Sequence, residues 1–238
     1  MTTATMMDFY NLAISWKHSK TFLSTKEDEQ YFLKLCKEVD PYITSNDPAH
    51  RWEHLIDLMN NTIDIFNRFE VPPRQLGAEP FTFVLAILYH DIYTGRDRKN
   101  HHELAARHVR LVHTRFPSKW YTEICADELS SMVLYHRAST VVPEYEYASA
   151  HWFSAIDRGP MDFKNVVMRS VKYQQHHHPD GDHIALAIKH ITEKFDREGY
   201  AIKNMSPYWK KAYGDTLIKL WEELEQPDVT EKVKEYYL

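Results

Sequence analysis

A histidine and an aspartate, His90 and Asp91, stand side by side in the otherwise almost wholly apolar run FTFVLAILYHDIY, residues 81–93. Burying two such polar groups is costly unless a partner replaces the water that they lose. A metal ion is one such partner, because imidazole nitrogen and carboxylate oxygen together suit Mn, Fe, Co, Ni or Zn, and carboxylate with water suits Mg. A hydrogen-bonded pair without a metal is the other interpretation, and the rest of the sequence has to distinguish them.

Further groups that could bind a metal occur at the edges or ends of apolar helical patterns. Two of them are histidines four residues apart, so that they share one face of a predicted helix. Singly, each group is more often a capped or hydrogen-bonded buried side chain. Taken together and in their order along the chain, they favour a common site. They are His50, His54, His102, Glu103, His136 and Asp157.

The elements that must position these groups are predicted to be helices. The chain has only six glycines, and its apolar residues recur mostly at three- and four-residue spacing, which favours an all-α protein. The pattern Ser24-Thr25-Lys26-Glu27 resembles a capping box that opens a helix. Pro41 and the stretch 45–48 are expected to interrupt the chain before a second helix from about His50, and Pro72-Pro73 to end that one. The third helix, which leads into His90, is apolar on every side and should therefore be the most buried. More helices are expected near 101–115, 118–136, 146–157, 161–175, 182–197 and 206–225.

Length and composition limit the classes of protein to consider. The 238 residues, 43% hydrophobic and 26% charged, suit one folded domain with a substantial core. The net charge of −5 and the lack of a long basic block give no indication of a nucleic-acid or membrane partner. Cys36 and Cys125 form no CxxC pair, the N-terminus lacks a signal-peptide pattern, and no apolar run reaches the length of a membrane span. A cytoplasmic location is therefore expected.

The order His54, His90-Asp91, Asp157 on successive predicted helices resembles the HD superfamily of metal-dependent phosphohydrolases. The nearest likeness is to its short branch of predicted metal-dependent HD phosphohydrolases. The matching segments are AHRWEH (49–54), YHDIY (89–93), HELAA (102–106), MVLYH (132–136) and IDR (156–158). The resemblance covers roughly residues 50–175. Arg51 and Ala106 stand where that branch has asparagine and serine, and Tyr93 lies one residue closer to the HD pair, but the four proposed ligands are intact.

The resemblance implies an HD-domain helical bundle formed as one domain over residues 1–238. The HD core would span roughly 50–175, with N-terminal helices in 1–45 and C-terminal helices in 180–238 packed on it. The implied activity is hydrolysis of a phosphate ester of a small molecule, with a nucleotide as the expected substrate, by a metal-activated water. His54, His90, Asp91 and Asp157 would ligate the metal. Asp91 would also contact the attacking water, and Glu103 would be the nearest general acid or base.

A second metal or the phosphate group could be bound by a further set of residues. His50, His102 and His136 are the candidates among the histidines, and Arg158 and Arg169 flank predicted buried faces. Because extra histidines allow two metals, an HD-type di-iron oxygenase is an alternative function. A non-catalytic regulatory module that binds a metal or a nucleotide is another.

Two other regions leave alternatives open. The histidine-rich stretch 176–183 contains proline and glycine, so it is predicted to be a polar loop rather than a metal cluster. The helices beyond about residue 180 are expected to pack on the core, where they would cover the site or support a homodimer.

Overall fold

Helices are the only regular secondary structure in the part of the chain that the computed structural model describes, residues 4–69 and 78–237. The predicted all-α class is therefore confirmed. A single 3-10 turn, Pro48–His50, precedes the third helix. The α-helices are α1 (Met6–Ser15), α2 (Lys26–Ser45), α3 (Trp52–Arg68), α4 (Pro80–Tyr89), α5 (His101–His113), α6 (Ser118–Glu123), α7 (Ala126–Leu134), α8 (Ala148–Arg158), α9 (Phe163–His177), α10 (His183–Phe195), α11 (Tyr200–Lys203), α12 (Pro207–Leu224) and α13 (Val229–Tyr237).

Helix α2 begins where the sequence predicts and ends later than expected. The side chain of Thr25 accepts a hydrogen bond from the backbone N–H of Asp28, which caps the first turn. Pro41 lies inside the helix instead of ending it. Proline removes one helical hydrogen bond, to the carbonyl four residues back. Pro41 and Lys37 are both exposed, so water can bind the carbonyl that proline leaves unpaired.

Helix α4 is the centre of the molecule, as its all-round apolar sequence predicts. Every residue from Phe81 to Tyr89 is at most 1% exposed, and the helix packs against α2, α3 and α7. Pro80 occupies its first turn, where a missing N–H costs nothing. Buried apolar side chains from α1 through to α13 form one continuous cluster around it.

Most of the remaining helices follow the sequence prediction, with one division, but α11 and α13 have no counterpart among the predicted ranges. The segment predicted as a single helix over 118–136 is two helices, α6 and α7, because Ile124 is extended between them. The Ile124 side chain is buried, and its carbonyl accepts a hydrogen bond from His113 Nε2. This hydrogen bond stabilises the extended backbone between α6 and α7. The Pro72-Pro73 pair lies outside the described residues.

The helix ends meet at one side of α4. The ends of α3, α4, α5, α7 and α8 converge there, and α9 and α10 pack together beside them, with α9 also contacting the 3-10 turn. Over the described ranges, no helix combines the length and apolar character that crossing a membrane requires.

Candidate metal centre

Four of the predicted ligands come from three different helices and meet below the protein surface. His54 lies on the first turn of α3, His90 and Asp91 directly follow α4, and Asp157 lies in the last turn of α8. His54, His90 and Asp91 are each at most 4% exposed. Helix ends carry backbone groups without an intrahelical partner, and these groups prove important for orienting the side chains.

In the first cluster, each histidine nitrogen lies within 3.7 Å of an oxygen of both carboxylates. His54 Nε2 lies 3.3 Å from both His90 Nε2 and Asp157 Oδ1. His90 Nε2 lies 3.1 Å from Asp91 Oδ2 and 3.7 Å from Asp157 Oδ1. His54 Nε2 is 3.7 Å from Asp91 Oδ2. Each histidine nitrogen is thus close to both carboxylates, and His54, His90 and Asp157 form one group that could hold an ion.

A second cluster uses the other oxygen of Asp91. His101 Nε2 lies 3.2 Å from Asp91 Oδ1 and 3.2 Å from His136 Nε2, which is itself 3.4 Å from the same oxygen. His101 is the first residue of α5, and His136 lies two residues beyond α7. The Asp91 carboxylate thus lies between two pairs of histidines, with one oxygen facing each pair.

Backbone carbonyls fix the orientation of three of these imidazoles. Nδ1 of His90 is 2.9 Å from the carbonyl oxygen of Ile87, and Nδ1 of His136 is 2.7 Å from that of Val133; both carbonyls lie in the last turn of a helix. Nδ1 of His101 is 2.8 Å from the carbonyl oxygen of Arg98. Because a carbonyl only accepts, each Nδ1 must carry the hydrogen, and each Nε2 is left as the electron-pair donor.

The donor atoms fit divalent metal ions. Within each cluster, lone pairs of neutral Nε2 atoms would face one another and carboxylate oxygens, which is unfavourable unless a positive charge lies between them. A tetrahedral ion with ligand bonds of about 2.1 Å separates its ligands by about 3.4 Å, close to the distances observed. The set of nitrogen and carboxylate donors suits Mn, Fe, Co, Ni or Zn.

The electrostatics of the site favour the protonation states that metal ligands need. Burial, together with the nearby Arg169 charge, lowers the pKa of His54 to about 3, so its imidazole is neutral at pH 7. Burial alone would raise the pKa of Asp91, but the histidines around it, His90 first, hold that pKa well below its usual value. The pKa of Asp157 is lowered in the same way, mainly by its bond to His54. Both carboxylates are therefore ionised.

His90 differs from the other ligands. Burial lowers its pKa, yet the adjacent Asp91 carboxylate raises it more, and the net shift is upward. A proton on His90 and a metal ion are thus alternative positive charges for the same place between the two carboxylates. The hydrogen-bonded interpretation places a proton on His90, and the metal interpretation places an ion there instead.

A ring of hydrogen bonds holds the turn that carries Asp91. Thr94 Oγ1 donates to Asp91 Oδ1 at 3.0 Å. Asn46, almost fully buried, donates to the backbone carbonyls of Asp91 and His50 and accepts from the Gly95 N–H. A Cβ on Gly95 would lie only 2.9 Å from Asn46 Oδ1, which is why this position needs glycine. These hydrogen bonds connect the turn after α4 to the segment that precedes α3.

A cavity of about 490 Å³ opens over the two clusters. Asp91 and Asp157 are the only carboxylates that line it, within the described part of the chain. Five cationic side chains also line it, as do Ser139, Ser170 and the aromatic residues of α9, α10 and α11. The cations are Arg98, Arg137, Arg158, Arg169 and Lys194. A small anionic ligand would suit this charge distribution.

The structure brings most of the predicted site residues together. His54, His90, Asp91 and Asp157 form the first cluster, His136 joins the second, and Arg158 and Arg169 line the cavity. His50 also lines the cavity, but its Nδ1 is held by Asp47 at 2.8 Å, and it belongs to neither cluster. The histidines of 176–183 are likewise absent from the described groups that could hold an ion.

Two of the predicted residues lie elsewhere. His102 is half-buried beside Arg137 and does not line the cavity, so His101 takes the place that the sequence prediction gave to His102. The Glu103 side chain is 51% exposed, 3.9 Å from Arg107, and does not line the cavity. We therefore correct the expected ligand to His101 and retain no catalytic role for Glu103.

Sequence patterns contain a signal for His101 but not for Lys194. The buried face of α5 runs through Ala105, Val109 and Val112, and one step of four residues back from Ala105 reaches His101. Lys194 lies on α10, far from the motif segments, and only the packing of α10 over the cavity brings it to the site.

Comparisons of this chain with protein-family models, with curated proteins and with solved structures found no match. The resemblance to the HD superfamily therefore stays an expectation from the motifs. The function has to be inferred from the chemistry of the site.

Proposed function

We propose that this protein is a metal-dependent phosphohydrolase of the HD type, which hydrolyses a phosphate ester of a small molecule such as a nucleotide. The observation that carries the proposal is the position of Asp91, whose carboxylate lies between two pairs of inward-facing histidine nitrogens at the floor of a cationic cavity. Buried donors of this kind need a positive charge, and a cationic wall above them suits a phosphate.

The ligands divide naturally between two ions. His54, His90, Asp91 and Asp157 would hold the first, and His101, His136 and the second oxygen of Asp91 the other. Bound divalent ions lower the pKa of a coordinated water towards neutrality and offset negative charge on a phosphoryl oxygen.

The chain itself supplies groups that bind phosphate and move protons. Arg158, Arg169 and Lys194 line the cavity and can bind phosphoryl oxygens. Asp157 contacts the histidines through Oδ1, and Oδ2 has no hydrogen-bond partner among the described residues. It is therefore the free carboxylate oxygen that can accept a proton from an attacking water.

His50 is the residue best placed to protonate the leaving group. Its Nδ1 is held by the buried Asp47 carboxylate, which also binds Arg98. Nε2 is thus the nitrogen left for a ligand in the cavity that His50 lines. A carboxylate that orients an imidazole is a common arrangement for proton transfer.

A di-iron oxygenase remains the second candidate, because the shared Asp91 carboxylate would serve an iron pair equally well. The cationic side chains that line the cavity favour phosphate over an uncharged substrate. A phosphohydrolase releases phosphate and an oxygenase consumes oxygen, so both activities can be measured on the same protein preparations.

The test is phosphate release by protein loaded separately with Mn, Co, Zn, Mg or, without oxygen, Fe(II). Substrates should include sugar phosphates and nucleoside mono-, di- and triphosphates, with oxygen uptake followed in parallel. We expect metal-dependent phosphate release that Asp91→Ala abolishes and the matched surface variant Glu103→Gln leaves unchanged. Oxygen uptake with iron and no phosphate release would favour the oxygenase, and binding without turnover for every metal would favour a regulatory module.

A further inference from the structure

The five cations of the cavity are not equivalent, because only Arg98 has a carboxylate counterion among the described residues. Arg98 forms an ion pair with Asp47 at 2.7 Å, and Arg137 donates to the carbonyl oxygen of Lys99. For Arg137, Arg158, Arg169 and Lys194, no carboxylate oxygen of the described residues lies within 4 Å. Arg158, Arg169 and Lys194, whose charges act on one another, form an unpaired cationic wall.

Each member of the unpaired wall has capacity for a ligand. Arg158 donates to two backbone carbonyls, while its buried Nε has no partner. Lys194 is half-buried and makes no hydrogen bond within the described chain. Arg169 is more exposed, and one of its NH2 groups lies 3.3 Å from His54 Nε2. Charges withdrawn from water without a counterion are unfavourable, so the wall has the character of an anion site.

An uncharged side chain gives independent evidence for a ligand at the same place. Ser170 is 8% exposed, its Oγ has no hydrogen-bond partner, and it lines the cavity next to Arg169 on α9. Buried hydroxyl groups are normally hydrogen-bonded. A hydroxyl in this position can donate to an oxygen of a bound anion.

The members of the wall lie close to one another as well as to the metal clusters. Helices α9 and α10, which carry Arg169 and Lys194, pack directly together. Burial, and then the positive charges of Arg169 and Arg158, lower the pKa of Lys194 to about 8, although the nearby Asp157 opposes them. Arg169 reaches His54, so the wall begins at the edge of the first cluster.

The charge at the site exceeds what one phosphate balances. Two divalent ions held by two carboxylates leave a charge of about +2, and a phosphate dianion carries about −1.5 to −2 at neutral pH. A monoester bound at the clusters would therefore leave the wall without a counterion. A second phosphoryl group on the same substrate would supply one.

We propose that Lys194, Arg169 and Ser170 form a subsite for a second phosphoryl group, so that the substrate is a diphosphate or bisphosphate compound rather than a simple monoester. This inference rests on the proposed function, since it assumes that the first phosphate binds at the metal clusters. It goes further by naming the charge class of the substrate.

The test compares inorganic pyrophosphate with inorganic phosphate as ligands of the metal-loaded protein, by calorimetry, with the metal content measured again after each titration. We expect pyrophosphate to bind at least about tenfold more tightly, which corresponds to one charge-assisted contact. Lys194→Gln and Ser170→Ala should each remove much of this preference, and Lys194→Arg should keep most of it. Lys189→Gln is the matched control, because Lys189 lies on the same helix, is 72% exposed and pairs with Glu193.

The outcomes separate this inference from the proposed function. Equal binding of the two anions by the wild-type protein, or an unchanged preference in folded Lys194→Gln, would overturn the subsite. A Lys194-dependent preference for pyrophosphate in a protein that releases phosphate from no ester would support the subsite and overturn the hydrolase. Melting temperatures of the variants establish whether each one is folded.

Discussion

At the scale of single residues, Asp91 is the side chain that both clusters share, and this predicts a graded loss of metal. His101→Ala should lower the metal content from about two ions to one per chain, because it removes a ligand from the second cluster only. Asp91→Ala should abolish both. Elemental analysis of the purified variants measures this directly.

The neighbouring histidine is the control for that experiment. His102→Ala removes an imidazole from the same turn of α5 without touching either cluster, and its metal content should equal that of the wild type. If His102→Ala lost an ion and His101→Ala did not, the assignment of the second cluster would be wrong.

Asp47 gives a prediction on pH. Burial by itself would raise its pKa, but His50 and Arg98 hold the pKa well below the ordinary 3.8. A depressed carboxyl pKa contributes stability that is present above pH 3.8 and is lost as the pH falls through the folded-state pKa. Asp47→Asn should therefore be less stable than the wild type at pH 6, with the difference shrinking below about pH 4.

Denaturant unfolding of both proteins between pH 2.5 and 7 measures this dependence. Asp180→Asn is a useful control, because Asp180 is exposed and its carboxylate makes no hydrogen bond or ion pair with the described residues. A difference between Asp47→Asn and the wild type that did not vary with pH would contradict the assignment.

The site residues also show how much of the candidate site can be predicted from the sequence. His54, His90, Asp91 and Asp157 could be selected because each lies at the edge or end of an apolar pattern, and the same patterns predicted the helices that carry them. The choice between His101 and His102 depends on the rotation of α5, which one polar residue at a helix start does not reveal. Glu103 lies on the solvent side for the same reason.

At the scale of elements, the end of α8 determines where Asp157 lies. Gly159 ends this helix with φ 62° and ψ −173°, a conformation that is nearly restricted to glycine. A Cβ there would also lie 2.8 Å from Asn61 Nδ2. Gly159→Ala should therefore destabilise the protein by roughly 1–3 kcal/mol, and it should weaken metal binding because Asp157 is two residues away.

Replacement of a second glycine, Gly214, by alanine is expected to have the opposite effect on stability. Gly214 lies inside α12, and a Cβ at this position would meet no atom within 4 Å. Gly214→Ala should stabilise the protein by about 0.5–1 kcal/mol, since alanine loses less conformational entropy in a helix. Chemical denaturation of the two variants compares them, and destabilisation by both would point to a general intolerance of change rather than to strain at Gly159.

Element boundaries mark a second limit of prediction. Pro41 continues α2, and Ile124 separates α6 from α7, because of solvent access at one position and a tertiary hydrogen bond at the other. Neither cause is visible in local sequence. The position of Lys194 over the cavity belongs to the same class, because it depends on how α10 packs against α9.

At the scale of the whole molecule, the candidate metal centre joins helices from distant parts of the chain, so removal of a bound metal should affect global stability. A ligand that binds only the folded state at about 1,000 times its Kd stabilises that state by about 4 kcal/mol. For a chain of this size, that corresponds to a Tm change on the order of 10 °C. Exhaustive chelation should lower Tm by such an amount, as measured by calorimetry.

Asp91→Ala is the matched control for chelation, because a variant without metal should melt at the same temperature with and without chelator. A wild-type Tm that chelation leaves unchanged would favour the hydrogen-bonded alternative, with a proton on His90 in place of the ion. Readdition of the metal should restore the wild-type value.

The contact between Arg169 and His54 has a thermodynamic consequence. In the structure, the guanidinium donates towards His54 Nε2, the nitrogen that an ion would bind. Metal binding would release that guanidinium for an anion in the cavity. The metal site, through His54, and the anion site both involve Arg169, so binding at one site changes the affinity of the other. This energetic coupling is reciprocal. Phosphate should therefore tighten metal binding by the same factor by which the metal tightens phosphate binding, and Arg169→Gln should reduce both factors together.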